Sequence, residues 1–271
     1  MIDEKGANMN KVINGISVYT YGNSTHQPIV FIHGFPFDHT LWNEVIAELD
    51  HKYYCISYDI RGFGTSELGT GQYTMESYVD DLDQIISVLG VVNPIICGFS
   101  MGGYIALRAN EKFENRFKAL ILANTTTLSD NNETKLKRAA IISGIDKEGA
   151  DPFLDNFFSV AFSETYRRQE AQKLEELKKK IGHFSPIGIK GGLLAMLSRT
   201  DTTQTLNSIA IPTLLITGED DKIISPDRMK KMSHEVINST FVQLDHCGHM
   251  SMIENPHDFI TAVQDFLDPK N

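Results

Sequence analysis

Short runs of apolar residues alternate along this chain with longer segments in which apolar residues recur every three to four positions. Each short run has the length and composition of a buried β-strand. The predicted strands are Ile29–Ile32, Tyr54–Tyr58, Pro94–Cys97, Ala119–Ala123, Ile211–Thr217 and Thr240–Leu244, preceded by an early edge strand at Gly15–Tyr21. Strands that alternate with helices in this way are typical of a mostly parallel sheet with helices on both faces.

The longer segments carry helix signals. The clearest helix starts after Thr74, a suitable N-cap residue, and ends at Gly90. Its apolar residues follow the helical period at Met75, Tyr78, Val79, Leu82, Ile85, Ile86 and Leu89. Further helices are predicted over Trp42–Leu49, Gly103–Ala109 and Pro256–Leu267, and from Ser225-Pro226 onward by the N-cap and N1 preference.

The alternation stops between about Thr125 and Ser208, where helical patterns rich in Phe, Lys and Glu include no strand-like run. We therefore predict one core domain made of residues 1–124 and 209–271, interrupted by a helical cap over residues 125–208. Within the cap, three pairs have the i, i+4 spacing of a solvated helix face: Glu164/Arg168, Glu175/Lys179 and Glu176/Lys180. We assign no function to these charges.

The composition narrows the class of protein. The 271 residues are 41% hydrophobic and 22% charged, which is typical of a globular chain. A net charge of -10 leaves no basic stripe for nucleic-acid phosphates, so we expect no DNA or RNA partner. The longest apolar runs have about five residues, against the ~20 that a spanning helix needs, so no membrane span is expected.

Cysteine usage and the first residues of the chain bear on its location. Cys55, Cys97 and Cys247 are odd in number and widely spaced, which favours buried thiols over a disulfide framework. Met1–Lys5 carries acidic residues where a signal peptide would be basic, and no apolar run follows it. Together these features predict a cytoplasmic protein.

A G-x-S-x-G motif occupies Gly98–Gly102, between the predicted strand Pro94–Cys97 and the helix that follows. A sharp strand-to-helix turn of this kind holds its serine in a strained conformation with Oγ exposed, and a Cβ at either glycine would clash. The first N–H groups of the following helix point at the same place and favour a developing negative charge. This context makes Ser100 the candidate nucleophile.

Two further loops accompany this motif. His33–Pro36 reads H-G-F-P after a predicted strand, and Asp59–Ser66 has the pattern D-x-R-G-x-G-x-S after the next strand. With these three motifs, nearly the whole chain resembles the α/β-hydrolase fold family. The resemblance implies a doubly wound sheet with an inserted cap, and an oxyanion hole formed by the backbone N–H groups of Phe35 and Met101. We expect the charged residues of the second loop to hold loops together.

A serine hydroxyl needs an imidazole base, and that base needs a carboxylate to fix its tautomer. In the family these groups follow the order serine, acid, histidine. His249 lies in a segment that resembles the family's G-H…E-x-P pattern and is the predicted base. His246 and His249 could instead form an H-x-x-H metal pair, but no second ligand cluster accompanies them, so we expect no metal. His33 is expected to be structural.

Three carboxylates follow the predicted strand Ile211–Thr217, namely Glu219, Asp220 and Asp221. The family pattern G-x-x-D selects Asp221 as the acid, with Asp220 as the first alternative and Glu219 as the second. No carboxylate follows the preceding strand at Asn124–Thr127, where some related families carry their acid.

Serine rather than aspartate in the motif excludes haloalkane dehalogenases and epoxide hydrolases among the families that the chain resembles. The resemblance implies acyl transfer to water from a small-molecule ester or lactone, with no cofactor. The short cap and the loop sequences favour a carboxylesterase. The first alternative is a 3-oxoadipate enol-lactonase, which Gly188–Arg199 also resembles, followed by a C–C bond hydrolase and a cofactor-free haloperoxidase or perhydrolase. A hydrolase-fold ligand receptor is the non-enzyme alternative.

Apolar residues beside the motifs and in the cap are candidate substrate contacts: Trp42, Phe99, Phe153, Phe157, Phe158 and Phe162. For each of them, packing in the core is at least as well supported as contact with substrate. On one helix, Phe153 and Phe157 would form one stripe, and Phe158 and Phe162 the adjacent stripe. One stripe could seal the cap onto the core while the other lines the cavity. The sequence leaves the oligomeric state open.

Overall fold

A computed structural model describes residues 9–269. They form an eight-stranded sheet in the order β1-β2-β4-β3-β5-β6-β7-β8. The β1/β2 and β2/β4 pairs are antiparallel, and all other neighbours are parallel. The strands are β1 (Met9–Ile13), β2 (Ile16–Tyr21), β3 (Gln27–Ile32), β4 (Tyr53–Tyr58), β5 (Ile95–Phe99), β6 (Ala119–Ala123), β7 (Thr213–Gly218) and β8 (Ser239–Leu244).

The helices fall between these strands. They are α1 (Asn43–Leu49), α2 (Met75–Val88), α3 (Met101–Lys112), α4 (Asn132–Glu148), α5 (Asp151–Ala161), α6 (Glu164–Gln169), α7 (Ala171–Gly182), α8 (Pro186–Ser198), α9 (Pro226–Glu235), α10 (Ser251–Glu254) and α11 (Pro256–Leu267), with short 3₁₀ helices at His39–Trp42 and Thr203–Ser208. As the sequence predicts, the Thr74 side chain caps α2 by accepting the Ser77 N–H.

The predicted edge strand is wrong in one respect. β2 lies inside the sheet, because β1 pairs with it as a hairpin and forms the edge. The turn between them is Asn14-Gly15, whose positive φ angles of 48° and 80° suit a two-residue hairpin. The apolar pattern does not reveal β1, since Asn10, Lys11 and Val12 are exposed.

Two apolar clusters cover the two faces of the sheet. Successive residues of one strand join opposite clusters: Val30 and Ile32 pack with α2 and α3, whereas Ile29 and Phe31 pack with α1 and α11. Strands buried on both faces are continuously apolar, which is the pattern seen along the chain. The expected doubly wound, mostly parallel sheet is therefore confirmed.

The cysteines lie within this core. Cys55, Cys97 and Cys247 are free and buried, as the sequence predicts. Burial raises the pKa of the Cys97 thiol well above its ordinary value. No helix in residues 9–269 has the length and apolarity needed to cross a membrane. Met1–Lys5, on which the expectation about a signal peptide rests, lies outside the described residues.

The stretch from 125 to 208, all of it described, joins β6 to β7 through α4–α8 and contains no strand. We call it the insertion. Only Glu164/Arg168 of the three expected i, i+4 pairs forms an ion pair. Lys180 instead reaches Asp38 at 2.8 Å, because it lies where α7 meets the loop after β3. The ion pair between Lys180 and Asp38 therefore links the insertion to the rest of the chain.

Candidate active site

Ser100 stands at the turn between β5 and α3 with φ 50° and ψ -112°, a strained conformation for a residue with a side chain. Its own N–H donates to the Ala123 carbonyl at 2.9 Å, which anchors the turn to β6. A Cβ at Gly98 would lie 2.4 Å from the Gly102 oxygen, and one at Gly102 would lie 2.2 Å from the Ile32 oxygen. Both flanking glycines are therefore required by close packing.

Three loops bring a serine, a histidine and an aspartate into one hydrogen-bonded chain. His249 Nε2 lies 3.0 Å from Ser100 Oγ, although 149 positions separate the two residues. On the other side of the ring, His249 Nδ1 lies 2.8 Å from Asp221 Oδ2. All three side chains are buried. These distances and roles match a nucleophile, its base and the group that orients the base.

Both carboxylate oxygens of Asp221 accept hydrogen bonds from surrounding groups. Its Oδ1 accepts the N–H groups of Ile223 and Ile224 at 2.8 and 2.9 Å, and its Oδ2 also accepts Asn124 Nδ2 at 2.9 Å. Burial by itself would raise the pKa of Asp221, but the facing His249 ring and these donors outweigh it. The pKa of Asp221 therefore lies below its ordinary value, and the group is ionised at neutral pH.

The alternative acids lie elsewhere. Asp220 is exposed, and its backbone N–H donates to the Cys247 carbonyl at 2.7 Å. Glu219 accepts the His246 N–H at 3.1 Å. The His246 ring is itself 86% exposed beside Glu219, so it does not share a site with the buried ring of His249. Of the three carboxylates, Asp221 alone meets a ring nitrogen of His249.

Asn124 is a site residue that sequence reasoning passed over, having noted only that it is not a carboxylate. It follows β6 with φ 45°, donates to Asp221 and accepts the Ser251 hydroxyl at 2.6 Å. A lone asparagine after a strand gives little signal in a sequence, because its partners lie 97 and 127 positions away.

The loop after β3 approaches the serine turn closely. A Cβ at Gly34 would lie 2.5 Å from the Phe99 ring. His33 stabilises this loop, since its Nε2 accepts the Ile60 N–H and its Nδ1 contacts the Gly34 carbonyl, both at 2.9 Å. Within residues 9–269, the N–H groups of Phe35 and Met101 have no hydrogen-bond acceptor. Both remain available for a ligand oxygen, as an oxyanion hole requires.

Asp38, His39 and Asp59 are the one group of described residues whose ligand atoms come together as in a metal site, all within 4.8 Å. The carboxylate oxygens of both aspartates and the Nδ1 of His39 already have partners. Asp59 accepts both the backbone N–H and the ring Nδ1–H of His39, at 2.9 and 2.7 Å, and Asp38 accepts the Lys180 ammonium. The group joins loops, and it fits the expected structural role of the second motif.

The predicted substrate contacts separate into two sets. Trp42 is fully buried between Phe31 and Phe259, whose ring centroids lie 5.4 and 6.2 Å from its own. Its role is therefore packing in the core. The Phe99 ring is also fully buried and supports the His249 ring at 5.0 Å.

Phe153, Phe157 and Phe158 lie on α5, whereas Phe162 follows the last residue of the helix with extended backbone, so the predicted second stripe is only partly helical. Phe158 and Phe162 are buried, with tilted rings whose centroids lie 5.4 Å apart. Both pack in the apolar cluster on one face of the sheet, so this pair seals the insertion onto the core. Phe153 and Phe157 are half-buried and lie on the other stripe. The Phe153 ring lies 5.7 Å from that of Phe35, which makes Phe153 the nearer candidate for substrate contact.

A family model described as the alpha/beta hydrolase fold matches residues 27–256. The chain belongs to the α/β-hydrolase fold family. A solved member of similar structure is a thermophilic esterase from Thermogutta terrifontis, with malate bound. It superposes with a TM-score of 0.90 at 29% identity, over 96% of this chain and 98% of the esterase.

Curated relatives in the α/β-hydrolase family carry different activities. The 3-oxoadipate enol-lactonase 2 of Acinetobacter baylyi is 25% identical over 90% of each chain. A putative non-heme chloroperoxidase of Synechocystis is 29% identical over 82% of this chain and 87% of its own. The relatives support hydrolase chemistry on small molecules, but their activities differ, so they do not identify the substrate of this chain.

Proposed function

We propose that this chain is a serine carboxylesterase that cleaves small, neutral carboxylic esters. The hydrogen-bonded chain from Ser100 through His249 to Asp221 carries the proposal. Ser100 Oγ attacks the ester carbonyl while His249 Nε2 takes its proton, and Asp221 holds the ring by accepting Nδ1–H. The N–H groups of Phe35 and Met101 stabilise the oxyanion.

His249 then returns the proton to the departing alcohol, which leaves an ester between Ser100 and the acyl group. A water molecule attacks this ester with His249 again acting as base, and the acid is released. The strained turn at Ser100 and the donors around Asp221 hold these groups in place before substrate binds.

The neutrality of the substrate follows from the residues around Phe35. Its ring meets Phe63 at 5.9 Å and Phe153 at 5.7 Å, so this wall is aromatic. Five half-buried or buried basic side chains of the insertion have carboxylate partners: Arg138 and Arg199 with Asp130, Lys178 with Asp155 and Glu175, Lys180 with Asp38, and Lys190 with Asp146. Among the described residues, the half-buried Lys135 and Arg167 of the insertion have no carboxylate partner, but neither belongs to this aromatic wall. A free carboxylate placed against this wall would lie among aromatic rings and meet no cation of the wall itself.

A lactonase is the second candidate, favoured by the relative that matches nine-tenths of the chain. An enol lactone of oxoadipate keeps one free carboxylate, which distinguishes it from a neutral ester. We expect kcat/KM for 4-nitrophenyl pentanoate to exceed that for the five-carbon 4-nitrophenyl hemiglutarate at least about tenfold, because an unpaired buried charge is costly. Stopped-flow and steady-state release of 4-nitrophenol measure both values.

Two outcomes would redirect the proposal. A preference for the hemiglutarate would favour the lactonase candidate. Release of at most one equivalent of nitrophenol per chain, without further turnover, would indicate a ligand receptor that retains a reactive serine.

The pH dependence follows from the low pKa of Asp221. Since Asp221 stays ionised in mildly acidic solution, it keeps its charge opposite His249 Nδ1 there. In steady-state rates measured against pH, we expect protonation of Asp221 to lower kcat/KM for a neutral ester only below about pH 4, and we expect EDTA to have no effect. Loss of activity with chelator and its return with zinc would contradict this mechanism.

A further inference from the structure

The Glu254 carboxylate accepts three backbone N–H groups from two separate parts of the chain. Its Oε2 accepts Gly248 N–H at 3.0 Å and Ser163 N–H at 2.9 Å. Its Oε1 accepts Met250 N–H at 3.2 Å. Gly248 and Met250 flank His249, whereas Ser163 belongs to the insertion, between α5 and α6. One side chain thus holds both sides of the histidine and the adjoining end of α5.

A second contact ties the same two segments together. The backbone N–H of His249 itself donates to the Ala161 carbonyl, the last residue of α5, at 2.8 Å. The two segments pack so closely that a Cβ at Gly248 would lie 2.6 Å from Ser163 N and 2.9 Å from the Ala161 oxygen. The insertion cannot lift away from this loop without breaking the hydrogen bonds from Ser163 to Glu254 and from His249 to Ala161.

We propose that Glu254 is a positioning residue that clamps the insertion to the His249 loop and so holds Nε2 of His249 against Ser100 Oγ. This inference rests on the proposed function, in which His249 is the general base. Small errors in the position of a base cost much of its effect, because proton transfer needs hydrogen-bond distance and alignment. The insertion then contributes to catalysis through the placement of His249, in addition to covering the serine.

Glu254→Gln tests the clamp with little change of volume. The amide keeps one acceptor oxygen but turns the other into an NH₂ donor, so at least one of the three N–H groups faces a donor. We expect kcat for 4-nitrophenyl pentanoate to fall about 10- to 100-fold while KM changes less than about threefold. The rate at which a fluorophosphonate labels Ser100 should fall by the same factor, since labelling also requires the base.

Asp258→Asn is the matched control. This carboxylate lies in the first turn of α11, its side chain is 55% exposed, and its partners are the neighbouring Asn255 and His257. The substitution makes the same change of carboxylate to amide four positions from Glu254. We expect its kcat and labelling rate to stay within about twofold of the unmodified protein.

A pair of substitutions at Ser163 isolates the contact with the insertion. Ser163 has φ -59°, and Phe162 before it is extended, so proline fits the backbone. Ser163→Pro removes the N–H that Glu254 accepts, together with the side-chain cap on Tyr166. Ser163→Ala removes the cap alone. We expect proline to lower kcat at least about fivefold more than alanine, and to add little in the Glu254→Gln background.

Several results would overturn the clamp. One is a Glu254→Gln variant with lower thermal stability but kcat and labelling rate within about twofold of normal. Another is an equal loss in Asp258→Asn, or equal effects of proline and alanine at Ser163. If Glu254→Gln fails to fold, the Ser163 pair decides. Labelling of Ser100 by the fluorophosphonate does not require ester turnover. If the unmodified protein is labelled but cleaves no ester, the proposed function is refuted, and the labelling rates of the variants still test the clamp.

Discussion

Ser100→Ala is expected to lower kcat for 4-nitrophenyl esters by about 10⁴- to 10⁶-fold, and His249→Ala by a similar factor. The two groups act as one unit: without Oγ there is no nucleophile, and without Nε2 at 3.0 Å nothing removes its proton. The double variant should therefore be little slower than either single variant. Steady-state kinetics with burst titration measures all three.

The control for this prediction is Ser24→Ala, which removes an exposed hydroxyl far along the chain from the turn. It should keep full turnover and full labelling by a fluorophosphonate. Ser100→Ala should fold normally by circular dichroism and take up no label. A folded Ser100→Ala protein with more than a tenth of normal turnover would eliminate the acyl-enzyme mechanism.

Asp221→Asn should lower kcat by about 10⁴-fold, because an amide no longer enforces the tautomer in which Nδ1 carries the proton and Nε2 is free to accept one. The new NH₂ group would also face the amide of Asn124, which now donates to Oδ2. Asp220→Asn changes the adjacent carboxylate in the same way at an exposed position and should cost less than about threefold.

The two variants control for each other, since both carry the same change of aspartate to asparagine at adjacent positions. A severe Asp220→Asn and a mild Asp221→Asn would reverse the assignment of the acid. Thermal unfolding of both proteins separates a loss of catalysis from a loss of structure.

Most strands and helices could be predicted because their signals are local. Ala119–Ala123 and Pro256–Leu267 have the predicted bounds, and α3 begins two residues before its predicted start because it follows Ser100 directly. β1 was missed because a two-residue turn and a partner strand, rather than its own apolar pattern, hold it in place. Side chains on an exposed edge strand need not be apolar.

The residues of the candidate site also differ in how much of their role the local sequence reveals. Glycines around Ser100 and before His249 leave a sequence signal, because a Cβ there would collide with backbone. Asn124 leaves almost none, and Glu254 appears only as the glutamate of the E-x-P pattern, which does not reveal its contact with Ser163. The hydrogen bonds that no local pattern shows are those from Asn124 to Asp221, 97 positions away, and from Ser163 to Glu254, 91 positions away. Asparagine and glutamate are also common on protein surfaces.

The sequence by itself determined the α/β class, the serine turn and the set of carboxylates from which an acid must come, since periodicity, turn chemistry and motif order act between neighbours in the chain. Only the tertiary structure decided which carboxylate meets His249, because burial and facing donors distinguish Asp221 from exposed Asp220. It also decided that the insertion bonds to the His249 loop through Ala161 and Ser163. Such contacts depend on how distant segments pack, which no local pattern encodes.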